Sequence, residues 1–214
     1  MDAESVARYL QDNPVFFEQY SDLLSHISVV HPHGDKAIPL ADRQVIALRE
    51  RNKALEAKLA ELIQFGEEND AISEKVHRLS TALVGAADFP ALVHALYFHL
   101  REDFAVPHVA LRVWGKSVPA DFDEAGAVNE AQRTHAAAMG APQCGPAAGN
   151  PFVPWFGEVS EHVRSVALIP LGQTAVFGLL ALGSEDPQRF FPEMGTLYLR
   201  RIGELCAAGV TARL

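Results

Sequence analysis

The sequence predicts an α+β protein in which N-terminal helices and one long helix precede an antiparallel sheet flanked by helices. Three observations carry this expectation. Between Val45 and Leu83 a row of apolar and core-tolerated residues repeats mostly in alternating steps of three and four, the pattern of a coiled-coil seam. Strand-length apolar runs begin at His108, Ser165 and Ala175. Amphipathic helical segments stand before and after those runs. The expected boundaries are 1–38 for a helical segment, 39–85 for a dimerisation helix and 86–214 for the α+β domain.

Residues Glu4 to Leu10 form the first expected helix, with Val6, Tyr9 and Leu10 on one side. Asn13 can cap a second, Pro14 suits its first turn, and Phe16, Phe17, Tyr20, Leu23 and Leu24 follow at helical spacing. His31-Pro32-His33-Gly34-Asp35 breaks the pattern as a loop. The heptad segment starts near Pro39 and places Val45, Leu48, Asn52, Leu55, Leu59 and Leu62 on one seam. The row continues through Phe65, Asn69, Ile72, Val76, Leu79 and Leu83. Leu59, Leu62 and Phe65 give two consecutive steps of three, a stammer that overwinds a supercoil. Gly66 beside it costs about 1 kcal/mol relative to alanine in a helix. Asn52 and Asn69 fall at a-type positions, where a buried asparagine costs stability but fixes register and favours two strands. A parallel homodimer is therefore expected, with Leu48, Asn52, Leu55, Leu59, Leu62, Asn69, Ile72, Val76 and Leu79 as its seam. The rod would be roughly 65 Å long at 1.5 Å per residue, too long for one small domain to cover. Packing of this helix on its own C-terminal domain is the alternative.

Asp88 can cap the next helix, with Pro90 in its first turn and Phe89, Leu92, Val93, Leu96, Tyr97 and Leu100 on its apolar face. In the strand from His108 to Trp114, Val109, Leu111 and Val113 face one way, and Ala110, Arg112 and Trp114 the other. A Gly-, Pro- and Ala-rich excursion runs from Lys116 to Glu161, with one helix over Asn129 to Met139. Ser165–Leu171 and Ala175–Leu182 are strands joined by Gly172-Gln173-Thr174 as a hairpin. A last helix runs from about Pro192 to Ala212. The helices can cover one sheet face, and the excursion is expected to close a pocket on the other.

Composition narrows the function classes. A net charge of −9 is repelled by phosphate backbones, which argues against nucleic-acid and anionic-membrane binding. The basic residues Arg43, Arg49, Arg51, Lys53 and Lys58 alternate with Asp42, Glu50, Glu56 and Glu61, as on a solvated helix face. Met1-Asp2-Ala3-Glu4 lacks the order of a signal peptide, and no apolar run approaches the roughly 18 residues of a membrane span. The two cysteines, Cys144 and Cys206, fit no metal or CxxC spacing and suit a reducing compartment, although one bridge stays open. A cytoplasmic location is expected.

The text Val6-Ala-Arg-Tyr-Leu10, Asn13-Pro-Val-Phe-Phe17, Asp22-Leu-Leu24, His31-Pro-His-Gly34, Arg43-Gln44 and Leu48-Arg-Glu-Arg-Asn52 resembles the bacterial DUF484 family. Ser165-Val-Ala-Leu-Ile-Pro-Leu171, Phe177-Gly-Leu-Leu-Ala-Leu-Gly-Ser184 and Arg189-Phe190 resemble the closing half of a GAF domain. Pro39 departs from the family, where a serine cap is expected. The resemblance implies a GAF-like small-molecule sensor or adaptor dimerised through flanking helices.

Catalytic text is absent. There is no GxSxG, no GxGxxG and no Walker A sequence. His31 and His33 flank Pro32 without a second ligand pair, and His94 and His99 are five residues apart, off a shared helix face. Asp121, Asp123 and Glu124 cluster in an expected exposed loop. Among GAF-type motifs, Cys144 is followed by Gly145 rather than the histidine of bilin-binding members, and Phe122-Asp123-Glu124 is only a fragment of the cyclic-nucleotide text. No cofactor or metal is assigned. The candidate ligand pocket comprises Arg112, Trp114, Cys144, Phe152, Trp155 and Ser165. A small-molecule sensor or adaptor without catalytic activity, a scaffold with a degenerate pocket, and a redox enzyme using Cys144 remain as readings. A protein partner would have to carry any output.

Overall fold

The computed structural model describes residues 2–20, 28–30, 37–115, 118, 122–172 and 174–214. The expected loop at His31–Asp35, the continuation through Leu23 and Leu24, and Asp121 lie outside them. The chain divides into two compact units, Met1–Glu67 and Glu68–Leu214, so the division falls inside the long helix.

In the first unit, α1 spans Ala3–Asp12 and α2 spans Val15–Gln19. Asp2 caps α1 by accepting from the Ser5 amide at 2.8 Å. Asn13 does not cap α2 as its sequence suggested. Its side-chain amide donates to the Tyr9 carbonyl at 2.9 Å and closes the end of α1. Strands β1 (Ser28–Val30) and β2 (Ala37–Pro39) pair antiparallel, with Val29 opposite Ile38. This pair had no alternating signature in the sequence. Helix α3 follows over Leu40–Gly85 as one element of 46 residues.

The second unit holds the C-terminal part of α3 and α4 (Phe89–Glu102), which Asp88 caps by accepting from the Ala91 amide at 2.9 Å. Strands β3 (His108–Val113), β4 (Gln143–Pro146), β5 (Ser165–Leu171) and β6 (Gly178–Ser184) form one antiparallel sheet in the order β3-β6-β5-β4. Helix α5 (Glu130–Ala138) opens on a complete capping box between Asn129 and Gln132. A 3₁₀ segment follows over Val153–Glu161, and α6 (Leu197–Thr211) closes the unit.

Three elements differ from expectation. The β5–β6 connection reaches Phe177, because Gly172 turns the chain at φ +113° and the Phe177 amide returns to the Leu171 carbonyl at 2.9 Å. Strand β6 therefore starts three residues later than its apolar run. Helix α6 starts at Leu197, because residues after Phe191 make a turn that the Met194 amide closes at 3.0 Å. Strand β4 arises inside the excursion, paired with β5 so that Cys144 meets Ala167.

The main core lies between one sheet face and three helices. Leu111, Ala167, Ile169, Leu171, Leu180 and Leu182 meet Leu79 and Leu83 of α3, Leu92 and Leu96 of α4, and Ile202 and Cys206 of α6. Gly203 lets α6 approach the sheet, since a Cβ there would lie 2.5 Å from Ile169 Cγ2. Two hydrogen-bond groups tie α6 beside α3. The Tyr198 hydroxyl donates to the Asn69 carbonyl at 3.1 Å and lies 3.1 Å from Ser73 Oγ. Arg213 donates to the carbonyls of Leu83, Val84 and Ala86 at 2.9, 3.2 and 2.6 Å. Its cation thereby covers carbonyls that the end of α3 leaves without intrahelical partners. No helix among the described residues is long and apolar enough to cross a membrane.

Candidate functional site

The two-residue period of β3 sends Leu111 and Val113 into the helix-covered core and Ala110, Arg112 and Trp114 to the opposite face. On that face Ala110, Leu168, Leu179 and Ala181 meet Ala136 and Met139 from the α5 segment and Phe152. Phe152 has no exposed surface. Its ring stands edge-on to Trp155 at 5.0 Å between centroids and to His135 at 5.4 Å. The Asn150 side chain holds the turn into it by accepting from the Phe152 amide at 3.0 Å.

Polar groups fix the rim. The Arg112 guanidinium carbon lies 5.7 Å from the Trp155 ring centre, and Nη1 donates to the Leu111 carbonyl at 3.0 Å. Gly126 makes room for it, since a Cβ would lie 2.8 Å from Arg112 Nε. Trp114 Nε1 donates to the Val176 carbonyl at 3.2 Å. The structure thus brings Arg112, Trp114, Phe152 and Trp155 to one sheet face. Phe152, from the excursion, is wholly buried against that face.

Cys144 and Ser165 stand elsewhere. Cys144 packs against the helix-side core, on the opposite sheet face from Arg112. Its burial pushes the thiol pKa up, away from the thiolate that redox chemistry needs. Cys206, wholly buried in that core, is pushed up to about 12 by its burial. Ser165 donates to the Asp186 carbonyl at 2.6 Å and accepts from the Phe190 amide at 3.4 Å, which fastens the segment before α6 to the sheet.

A polar pair escaped the sequence reading. Glu124, expected in an exposed loop, is buried in a short 3₁₀ turn, Asp123–Ala125. It accepts from the Tyr97 hydroxyl at 2.7 Å, and that hydroxyl accepts from the Leu111 amide at 3.2 Å. Burial first, then the neighbouring carboxylate, raises the Tyr97 pKa and keeps the phenol neutral. The chain Glu124–Tyr97–Leu111 satisfies a backbone donor of β3, which among the described residues has a sheet neighbour only at β6.

The predicted seam divides in two. Leu48, Leu55, Leu59 and Leu62 are 58–65% exposed, whereas Val76 and Leu79 are 8% and 0% exposed. Ile72, Val76 and Leu79 pack into the protein's own core, and the Asn69 carbonyl takes the Tyr198 hydroxyl. The C-terminal third of the heptad row thus follows the alternative in which the helix packs on its own domain.

Solved structures similar to this chain include three sensory-protein fragments. The solved GAF domain of A. aeolicus nlh2, in an inactive state, is similar with a TM-score of 0.50 and 14% identity, covering 68% of this chain and 99% of that one. A methyl-accepting chemotaxis protein segment, residues 122 to 287, is similar at 12% identity and TM-score 0.45, covering 65% and 97%. The Stigmatella aurantiaca phytochrome photosensory core module is similar at 13% and 0.45, covering 71% of this chain and 37% of that one. No curated protein matches the sequence. The first of these likenesses gives the chain a GAF-like fold over 68% of its length. The family model described as "Protein of unknown function, DUF484" matches residues 1–211, so the chain belongs to the DUF484 family.

Proposed function

We propose that this protein acts as a homodimeric, non-catalytic GAF-like adaptor, assembled through the N-terminal part of α3. One observation carries the reading: four leucines at heptad spacing, Leu48, Leu55, Leu59 and Leu62, stay more than half exposed in the single chain. Burying one leucine side chain contributes roughly 1.5–3 kcal/mol, so a second copy on this row gains appreciable free energy. The wholly buried Phe152 favours an adaptor over a ligand-binding sensor, because its ring occupies the sheet face where a ligand would enter. The GAF-like fold supports a sensory or adaptor class. Light scattering at micromolar concentration tests the assembly. About twice the 23.3 kDa chain mass is expected, and Leu55→Glu should shift it towards a single chain. A wild-type chain that stays at one mass removes the dimer from the reading.

A sensor remains as a second reading on one observation, the Arg112 guanidinium held over Trp155 at the rim of that face. Native mass spectrometry of the purified protein separates the two. A retained small-molecule adduct supports the sensor, and the bare polypeptide mass supports the adaptor.

A further inference from the structure

We infer that the second copy lies parallel and in register along Val45–Leu62, with Arg51 of each chain against Glu56 of the other, and that this seam stops short of Ile72. The inference rests on the homodimeric reading above and adds orientation, register and extent to it.

The exposed row supplies the register. Val45, Asn52 and Leu59 stand at one core position of the heptad, and Leu48, Leu55 and Leu62 at the other. The flank preceding the first set carries Gln44, Arg51 and Lys58, and the flank following the second carries Arg49, Glu56 and Ile63. In a parallel pair each preceding-flank residue meets the following-flank residue five positions on in the partner helix. Arg51 then meets Glu56 of the second copy, and symmetry makes the contact twice. Gln44 meets Arg49 and Lys58 meets Ile63 without like-charge repulsion. In an antiparallel pair each flank meets its own kind. With the same stretch overlapped, Arg51 then faces Lys58 as a like-charge pair, which offsets the attraction of Arg49 for Glu56.

Asn52 argues the same way. Parallel register sets Asn52 against Asn52, where the two amides can hydrogen-bond. Antiparallel pairing sets it against a leucine and leaves its amide unsatisfied, which costs about 1–3 kcal/mol. Lys58 and Glu61 pair at 2.5 Å on the same chain, so neither is required across the seam.

The extent follows from burial. Ile72, Val76 and Leu79 already belong to the core with α4 and α6, and Tyr198 occupies the Asn69 carbonyl. Val76 and Leu79 have no free apolar face to offer a second chain, and Ile72 is already partly covered by its own core. A parallel seam that continued through them would have to strip the core.

The test uses the full chain with Leu48→Cys, Leu62→Cys or Ile72→Cys, oxidised and mapped by mass spectrometry so that links through Cys144 or Cys206 are recognised. Leu48→Cys and Leu62→Cys should each link to the same position in the second copy, and Ile72→Cys should not. Links between positions 45 and 62 in a mixture of Val45→Cys and Leu62→Cys chains overturn the parallel arrangement. An efficient self-link at position 72 overturns the limit on the seam. A dimer by light scattering with no link at 48 or 62 overturns the inference but leaves the homodimer standing, whereas a monomer removes both. Charge reversal adds an independent arm. Arg51→Glu and Glu56→Arg should each weaken association about three- to ten-fold, and the double variant should restore it. No restoration overturns the Arg51–Glu56 contact.

Discussion

Leu59 and Leu79 lie on the same helix and at similar places in the same heptad row, yet one is 58% exposed and the other is wholly buried. The N-terminal stretch of α3 carries its leucines outward. The C-terminal stretch is held by α4 and α6, by Tyr198 at one end and by Arg213 at the other. A heptad row says that one helix face needs cover. It does not say whether a second chain or the same chain supplies it. The stammer at Leu59, Leu62 and Phe65 marks the change: each step of three falls about 60° short of a turn, so two in succession move the row around the helix. The first residue on the shifted row with a tertiary hydrogen bond is Asn69.

The comparison is sharpest in paired truncations. Leu79→Ala should lower the unfolding free energy by about 2–5 kcal/mol, because a methylene-rich side chain leaves a packed core. Leu59→Ala should leave the fold of the single chain nearly unchanged and weaken association instead. Urea denaturation read by circular dichroism separates these effects.

Arg213→Ala comes next. It removes donors from the carbonyls of Leu83, Val84 and Ala86, and should cost about 1–3 kcal/mol. Arg213→Lys should recover only part of this, since an ammonium cannot span three carbonyls as the planar guanidinium does. Hydrogen exchange should show the last turn of α3 opening first.

Gly66→Ala probes the boundary itself. A Cβ at Gly66 meets nothing within 4 Å, so alanine should stabilise the helix by about 0.5–1 kcal/mol. An unchanged or lower urea midpoint would mean that the helix needs the glycine at that point.

The smallest effect is in acid. Asp103 joins α3 to α4 by contacts with His99 at 2.5 Å and Arg78 at 2.9 Å. The hydrogen bond from His99, then the Arg78 cation, holds its pKa below the ordinary 3.8. A depressed carboxylate contributes stability that is present above its unfolded value and lost as pH falls through its folded one. The Asp103 contribution should therefore be complete above about pH 3.8 and fade below it. Asp103→Asn should flatten the stability profile there, measured as the urea midpoint at pH 2.5 to 6.

Much of the fold was legible because periodicity reports buried faces. The two-residue alternation of β3 placed Arg112 and Trp114 on the excursion side, and the apolar face of α4 matched its buried residues. Strand β4 was not legible. Gln143-Cys144-Gly145-Pro146 has little strand propensity, and its conformation comes from pairing with β5. Without that strand, nothing indicated which face Cys144 would take. Ser165 was legible in principle, since it alternates with Ala167 and Ile169 and so shares their face. Glu124 was not, because carboxylates are seldom buried and its partner Tyr97 is 27 residues away. Phe152 reads equally as a pocket wall or a plug until the depth of the excursion is known. The β1–β2 pair escaped because three-residue strands are too short to show a period.

On the homodimeric proposal, two stretches of α3 answer to different partners. Light scattering over a concentration series, on Leu59→Ala and Leu79→Ala beside the wild-type protein, separates the two. Leu59→Ala should dissociate at higher concentration than wild type, whereas Leu79→Ala, kept below its unfolding temperature, should associate as wild type does. Equal weakening of association by both substitutions, or weakening by Leu79→Ala alone, would contradict this division.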